Sequence, residues 1–177
     1  AEIGHITIDL SQDDPERNIV GTFEGLCAGP DIALRAQEHL RLGASSKALD
    51  LANGKIEAVT TKELGEAAQL GDPFALDEFR YTGMLMGVGI TNLLHVFNPQ
   101  RIVIGGSVWL NCSAFMQESM WETIKQRTRA EEYWKWLDIV TAELGGDVGL
   151  LGAVALALDE TRADSSMLRA AIPLAVS

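Results

Sequence analysis

The longest apolar pattern in the chain lies between residues 73 and 97 and predicts a single buried helix. Its apolar residues fall on more than one helical face, as expected of a helix enclosed by protein; they are Phe74, Leu76, Phe79, Met84, Leu85, Val88, Leu93, Leu94 and Phe97. Asp72-Pro73 is a typical helix start, and Asn98-Pro99 ends the pattern. Three glycines within the stretch lower its helix propensity; they are Gly83, Gly87 and Gly89. We therefore expect another backbone to approach this helix closely.

Three shorter helices are predicted ahead of the long one. Each begins at residues that favour a helix start, including the capping-box pair Thr60 and Glu63, and each stops at or just before a glycine. Their expected ranges are about 29–42, 46–52 and 61–70.

Three short stretches predict strands. Residues 3–10 alternate loosely between apolar and polar positions, which favours a half-buried strand. The apolar run 101–105 is typical of a buried parallel strand, and residues 137–143 form the third. The remaining predicted elements are a loop at 11–18 and helices at about 112–130 and 148–158. The order strand, helices, strand, helix, strand, helix predicts an α/β fold with parallel strand pairs.

Composition and charge narrow the class of protein. The chain has 177 residues, of which 47% are hydrophobic and 22% charged, as in ordinary soluble domains. Its formal net charge of −11 repels phosphate backbones and argues against direct nucleic-acid binding. Cys27 and Cys112 are too few for a disulfide framework or a cysteine-rich zinc site, which favours a reducing cytoplasm. No apolar run is long enough to predict a membrane span.

Two acids and a histidine near the start of the chain are candidate ligand contacts. Glu2, His5 and Glu24 can all hydrogen-bond hydroxyl groups. Glu2 and His5 would lie on opposite faces of a regular strand, so both can face one ligand only if the backbone twists, which Gly4 permits. On pattern alone, the favoured interpretation of the three residues is a surface acid, a strand histidine and a solvated loop acid. His39 and His95 lie within predicted helices and are expected to be structural.

The apolar run 101–105 ends in Gly105-Gly106, where a ligand could approach the backbone at the end of a parallel strand. The run lacks the G-x-G-x-x-G and P-loop patterns, and close packing of a strand on a helix explains the glycines equally well. The glycines of 145–152 could likewise meet a nucleotide at a helix start or serve helix–sheet packing.

Taken in order, four motifs resemble those of the ROK family, the bacterial sugar kinases and sugar-responsive repressors. EIGH at 2–5 resembles E-x-G-H, and GTFEGLCAGPDI at 21–32 resembles G-C-L-E-x-x-x-S-G-x-x-I. NPQRIVIGGSV at 98–108 resembles D-P-x-x-I-V-I-G-G-G, and GLLGAVALAL at 149–158 resembles G-L-x-G-A-A. The resemblance implies the C-terminal domain of the actin/hexokinase-like (ribonuclease H-like) ATPase fold over residues 1–160, followed by a tail at 161–177.

The resemblance also implies roles for individual residues. Glu2, His5 and Glu24 would contact sugar hydroxyls, and Gly105 and Gly106 would lie against the nucleotide. Kinases of the family transfer phosphate from ATP, with Mg²⁺, to a hexose, typically at O6, and an aspartate takes the hydroxyl proton. Their dimers make a homodimer plausible here.

The chain departs from the family pattern at the zinc site. Many members bind zinc with the histidine of E-x-G-H and three cysteines. The three cysteine positions are occupied here by Pro15, Arg17 and Thr22, none of which is a good zinc ligand. The sequence therefore predicts no zinc and leaves His5 available to the sugar.

The second departure is the lack of the D-x-G-G-T motif and catalytic aspartate of the family's N-terminal half. Because Ala1 falls where that half would end, we expect a C-terminal segment of a glucokinase-like enzyme that is inactive in isolation. Two other interpretations stay open. One is the effector domain of a ROK-type repressor, and the other is a non-catalytic interaction domain.

Overall fold

The structure is a computed structural model that describes residues 2–14 and 19–171, with side chains described for 2–11 and 21–159. The chain divides into two compact units, Ala1–Thr141 and Ala142–Ser177. The elements of the first unit are β1 (Asp13–Asp14), β2 (Ile19–Val20), α1 (Phe23–Cys27), α2 (Gly29–Arg41), α3 (Lys47–Leu51), α4 (Thr61–Gln69), α5 (Pro73–Phe97), β3 (Arg101–Ile104), α6 (Ser107–Arg127) and β4 (Asp138–Thr141). The second unit contains α7 (Val148–Ala171), preceded by a 3₁₀ turn.

The core of the first unit is organised around the pair of long helices α5 and α6. A Cβ added to Gly83 would lie 2.3 Å from the carbonyl oxygen of Met116, and one added to Gly87 would lie 2.7 Å from that of Met120. Phe79 and Met116 are fully buried in this core. The prediction that the glycines of α5 admit another backbone is therefore confirmed for Gly83 and Gly87, and that backbone belongs to α6.

Side-chain caps fix the starts of α4 and α5, as the sequence predicts. Thr60 and Glu63 form the capping box of α4, and Asp72 caps α5 by accepting a hydrogen bond from the backbone N–H of Ala75 at 2.9 Å. Burial alone would raise the pKa of Asp72. Hydrogen bonds from the backbone of Lys47 and Ala75 and from the Ser46 hydroxyl nevertheless hold that pKa below its usual value.

Strands β3 and β4 pair in parallel, with Arg101 opposite Asp138, and their side chains form an ion pair of 2.7 Å. The parallel pairing is confirmed, but the prediction of a fully buried strand is wrong. Ile102 and Ile104 pack against the core, whereas Val103 points the other way and is 60% exposed. Successive side chains of a strand point to opposite faces, and only one face of this pair is covered within the first unit.

The prediction of a strand over 3–10 is also wrong. Residues Ile3–His5 form a 3₁₀ turn, and only the following segment is extended. There the N–H groups of Ile8 and Asp9 both bond to the carbonyl oxygen of Gly21. This close approach requires a glycine, since a Cβ on Gly21 would lie 1.5 Å from the Asp9 carbonyl oxygen. Such an irregular pairing has no periodicity that a sequence pattern can show.

Three other boundaries differ from those predicted. Helix α6 begins at Ser107 rather than near residue 112, because Gly106, at φ +93°, ends the strand and caps the helix directly. Helix α7 extends to Ala171 rather than 158. The predicted loop at 11–18 contains β1, while its residues 15–18 lie outside the described part of the chain. Among the described helices, none combines the length and the apolar character needed to cross a membrane.

Candidate functional site

Glu2 directly precedes the 3₁₀ turn at Ile3–His5, three residues before His5. The N–H of His5 donates to the carbonyl oxygen of Glu2 at 3.2 Å, and the N–H of Ile6 to that of Ile3 at 3.3 Å. Since a 3₁₀ helix has three residues per turn, side chains three apart project in the same direction. Both Glu2 and His5 are exposed to solvent. The turn thus allows both side chains to face one ligand, which a regular strand would have prevented.

Helix α1 carries Glu24 to this turn. Its first residue, Phe23, donates its backbone N–H to the carbonyl oxygen of Ile6 at 2.9 Å. The hydroxyl of Thr22 caps the helix by accepting a hydrogen bond from the N–H of Gly25 at 3.2 Å. The backbone of Thr22 also forms an isolated antiparallel β-bridge with that of Thr7. The start of α1 is therefore held against the N-terminal segment.

The carboxylate of Glu24 lies against the backbone of Gly4. A Cβ added to Gly4 would lie 2.9 Å from Glu24 Oε2 and 3.2 Å from Glu24 Cβ. Gly4 sits between Glu2 and His5 in the turn, so the structure brings the three predicted residues to one place. We call Glu2, Gly4, His5 and Glu24 the acidic face. Its two carboxylates accept hydrogen bonds, and its imidazole can donate or accept, which suits a ligand rich in hydroxyl groups.

Of the residues at the family's three cysteine positions, Thr22 is described, and its hydroxyl serves as a helix cap. Pro15 and Arg17 lie outside the described residues. Within the described part of the chain, no three His, Cys, Asp or Glu side chains come together as a metal site. The prediction of a chain without zinc stays a prediction.

Gly105 and Gly106 connect β3 to α6 at the edge of an open cleft. Gly106 has a positive φ of +93°, and nothing lies within 4 Å of a Cβ built on it, so ligand atoms can approach its backbone. The cleft has a volume of about 420 Å³ and runs between α4 and α6; its lining residues are Thr61, Lys62, Gly65, Glu66, Gln69, Ser107, Val108, Asn111 and Cys112. Sequence reasoning missed these residues, because the two helices that carry them lie far apart in sequence.

The start of α2 joins the acidic face to the cleft. Gly29 follows Glu24 by five residues. A Cβ added to Gly29 would lie 3.2 Å from Val108 Cγ2 and 3.4 Å from Thr61 Oγ1, and both of those residues line the cleft. Helix α2, which follows the helix that carries Glu24, therefore contacts both helices that line the cleft.

The two other histidines lie away from the acidic face. His39 Nδ1 lies 2.5 Å from Glu78 Oε1, and the second oxygen of this buried carboxylate accepts from Arg35 Nε at 2.8 Å. His95 accepts a hydrogen bond from the backbone N–H of Arg129 at 3.3 Å. The expected structural role of both histidines agrees with these contacts, and His39 contacts the Phe74 ring as well as the Glu78 carboxylate.

Both cysteines are free thiols with raised pKa values. Burial raises the pKa of Cys27 to about 12, against the smaller opposing effect of the Arg35 charge. Burial also raises the pKa of Cys112. A protonated, buried thiol is a poor nucleophile, so neither cysteine is a candidate for covalent catalysis.

Comparison with known proteins decides the family. A sequence model of the ROK family matches residues 1–160. The chain belongs to the ROK family. The resemblance carried by the four motifs is thus confirmed.

ROK relatives include both enzymes and regulators. The chain is 31% identical over 155 residues to a glucokinase of Halalkalibacterium halodurans, covering 85% of this chain and 45% of that protein. It is 23% identical over 159 residues to a xylose repressor of Caldicellulosiruptor bescii, covering 90% of this chain and 39% of that protein. The chain thus spans less than half the length of these relatives.

A solved ROK structure has the same fold. The ROK family glucokinase from Streptomyces griseus, crystallised in complex with glucose and AMPPNP, superposes with a TM-score of 0.74 at 26% identity. The match covers 88% of this chain and 50% of that one. The predicted α/β fold of the actin/hexokinase-like class is confirmed.

Proposed function

We propose that this chain is the C-terminal part of an ATP-dependent hexose kinase of the ROK family. Glu2, His5 and Glu24 contact the sugar hydroxyls, and Gly105 and Gly106 lie against the nucleotide. The observation that carries the proposal is the position of the Glu24 carboxylate over Gly4, which is two residues from Glu2 and next to His5 in the chain.

The acidic face has the chemistry of a sugar-binding wall. Each carboxylate oxygen can accept a hydrogen bond from a hydroxyl, and the charge makes such bonds stronger than neutral ones. Glu2 and Glu24 are exposed to solvent, so neither residue is enclosed in the core. A sugar presents several hydroxyls on one face, and two carboxylates and an imidazole can hold more than one of them at once.

The cleft between α4 and α6 supports binding of ATP next to the sugar. Val108 and Cys112 give it an apolar side, and Lys62 and Asn111 supply polar groups, a mixture typical of small-molecule sites. The positive φ and open surroundings of Gly106 leave its backbone accessible to a ligand. Mg²⁺ would enter with ATP, bound mainly by the phosphates.

The contact of Gly29 with Val108 and Thr61 supports a single reaction centre. Phosphoryl transfer depends on holding the donor and the acceptor in line, and much of the rate enhancement comes from that alignment. Helix α2, which begins five residues after Glu24 and contacts the cleft residues at Gly29, suits this requirement. The sequence contains no D-x-G-G-T motif, so in our proposal the catalytic aspartate belongs to another part of the complete protein.

A second candidate is the sugar-sensing effector domain of a ROK-type repressor. The match to a xylose repressor over 90% of this chain favours it specifically. In that case the acidic face would bind an inducer sugar by the same contacts. DNA would be bound by another domain, since this chain carries a net charge of −11. A homodimer and a cytoplasmic location belong to both candidates as predictions.

A phosphorylation assay tests the proposal. The complete protein, supplied with ATP, Mg²⁺ and a hexose, should produce sugar phosphate, while residues 1–177 alone should not. Sugar phosphate from residues 1–177 alone would contradict the placement of the catalytic aspartate outside them. Tight hexose binding by the complete protein without any product would favour the effector domain.

A further inference from the structure

Phe23 of α1 packs directly on the backbone of α5 at Gly89. A Cβ added to Gly89 would lie 3.0 Å from both Cε2 and Cζ of the Phe23 ring and 3.1 Å from Cδ2. Ordinary contacts between carbon atoms are about 3.5–4.0 Å. One edge of the ring therefore occupies the space that a side chain at position 89 would need.

Gly89 faces a different helix from the other two glycines of α5. Gly83 and Gly87 are four residues apart, so they lie on one side of the helix, and that side contacts α6. Gly89 follows Gly87 by two residues, which is roughly 200° around an α-helix. It therefore faces nearly the opposite direction, toward α1, and the packing of α5 on α6 does not account for it.

Helix α1 depends on this contact for its position. It has only five residues, and so short a helix is not stable without tertiary contacts. Two contacts hold its first residue: the Phe23 backbone N–H bonds to Ile6, and the Phe23 ring rests on Gly89. Glu24 is the next residue along the same turn, so a shift of Phe23 moves the Glu24 carboxylate as well.

We propose that Gly89 is a positioning residue for the acidic face. Its lack of a side chain lets the Phe23 ring sit against α5, and the seated ring holds the Glu24 carboxylate over Gly4. This role rests on the proposed sugar-binding function. Gly89 itself does not touch the sugar; it acts through Phe23, since the geometry of a binding group must be held to within about 0.5 Å.

The test enlarges residue 89 stepwise, as Gly89→Ala and Gly89→Val, in the complete protein. Affinities for hexose and for an ATP analogue are measured on the same samples by calorimetry, with the hexose chosen as the best bound of glucose, mannose and N-acetylglucosamine. We expect Gly89→Ala to weaken hexose binding roughly tenfold and Gly89→Val to weaken it more, because small displacements of binding groups have large effects. ATP-analogue affinity should stay within about twofold, since Gly89 faces away from α6.

Two further variants separate positioning from general destabilisation. Alanine is a better helix former than glycine by about 1 kcal/mol, so Gly89→Ala does not weaken α5 itself. Gly87→Ala, on the side that faces α6, should lower the melting temperature without a preference for hexose over nucleotide. Replacing Phe23 with leucine in the Gly89→Ala background removes the ring edge and should recover most of the lost hexose affinity.

The outcomes are distinct. Three results would each overturn the positioning role and leave the proposed function intact. They are wild-type hexose affinity in both Gly89 variants, an equal loss of hexose and nucleotide affinity, and no recovery of hexose affinity when Phe23 is replaced with leucine. A wild-type protein that binds none of the three hexoses would overturn the proposed function, and the positioning role with it.

Discussion

The Glu24 carboxylate lies over Gly4, with Oε2 2.9 Å from the place where a Cβ would stand. The two residues are far apart in sequence, and the contact exists because α1 begins against the N-terminal turn through the bond from Phe23 to Ile6. Gly4 thus leaves room for the carboxylate above its backbone. Its φ is not in the left-handed region, so the turn itself does not require a glycine.

Gly4→Ala should displace the Glu24 carboxylate and weaken sugar binding. The methyl group would meet the flexible end of a side chain, so folding should change little while hexose affinity falls roughly tenfold, as for the loss of a charged hydrogen bond. Calorimetric titration with hexose measures the first effect and thermal unfolding the second. A large fall in melting temperature with unchanged hexose affinity would show that Gly4 has only a folding role.

Gly106→Ala should weaken nucleotide binding selectively. At φ +93° and ψ 154° an alanine is strained by about 1–3 kcal/mol, which the turn between β3 and α6 can relieve only by moving. We expect roughly a tenfold loss of affinity for an ATP analogue, equivalent to about 1.4 kcal/mol, with hexose affinity retained.

Gly43→Ala is the matched control for this variant. Gly43 also has a positive φ, +101°, and open space around a Cβ. It follows α2, however, whereas Gly106 directly precedes Ser107, which lines the cleft. It should lose similar stability and keep its affinity for the ATP analogue. Equal losses of nucleotide affinity in both variants would contradict a nucleotide role for Gly106.

Sequence patterns close to the helix ends are enough to predict the helices, but they do not predict the geometry of the acidic face. The sequence predicts helices α2 to α5 within a few residues. Capping side chains such as Thr60 and Asp72 satisfy the starts of α4 and α5 within their own turn, and α2 begins with a proline in its first turn. The turn at Ile3–His5 was missed because its alternating apolar residues suggested a strand. What decides the turn is long-range: the pairing of Ile8 and Asp9 with Gly21.

The cleft and the Phe23–Gly89 contact were equally beyond sequence reasoning. Thr61 and Val108 line the cleft and both lie close to Gly29, although the three residues are far apart in sequence. The presence of Gly89 indicated a close approach, and the sequence could not say whether α6 or α1 made it. Family resemblance supplied the roles of Glu2, His5 and Glu24, and the structure supplied the geometry that makes those roles physically reasonable.

Asp72→Ala should destabilise the fold. Asp72 Oδ1 accepts hydrogen bonds from the Ser46 hydroxyl at 3.0 Å and the Ala75 N–H at 2.9 Å, and Oδ2 accepts from the Lys47 N–H at 2.9 Å. Loss of a helix cap costs about 0.5–2 kcal/mol, and we expect the upper part of that range or more because the freed groups are buried. Urea unfolding at pH 7 measures the change. Asp77→Asn, which alters an exposed pair with Arg80, should change stability by less than about 1 kcal/mol.

The same carboxylate should contribute to acid sensitivity. The pKa of Asp72 is lower in the folded chain than its ordinary value, so its stabilisation is complete above the unfolded pKa of about 3.9 and is lost as the pH falls through the folded pKa. The difference in unfolding free energy between wild type and Asp72→Ala should therefore shrink below about pH 4. A difference that is constant from pH 7 to pH 2.5 would contradict the lowered pKa.

Cys27 should be unreactive in the folded chain. With a pKa of about 12, only about one thiol in ten thousand is ionised at pH 8, and the thiolate is the reactive form. An aromatic disulfide reagent should label Cys27 slowly in the native protein and rapidly in urea. Full labelling of Cys27 within seconds under native conditions would show that its burial, which raises the pKa, is not maintained in solution.

The central claim is that Glu24 belongs to a sugar-binding face and not to the structural framework. Its most direct test is hexose and ATP-analogue titration of the complete protein carrying Glu24→Ala, with Glu118→Ala, at an exposed acid on α6, as the matched control. We predict that Glu24→Ala weakens hexose binding by a factor of roughly ten to a hundred, as expected for a lost charged hydrogen bond. Its nucleotide affinity should be nearly unchanged, and Glu118→Ala should behave as wild type. Equal loss of both ligands in Glu24→Ala, or unchanged hexose affinity, would contradict the account.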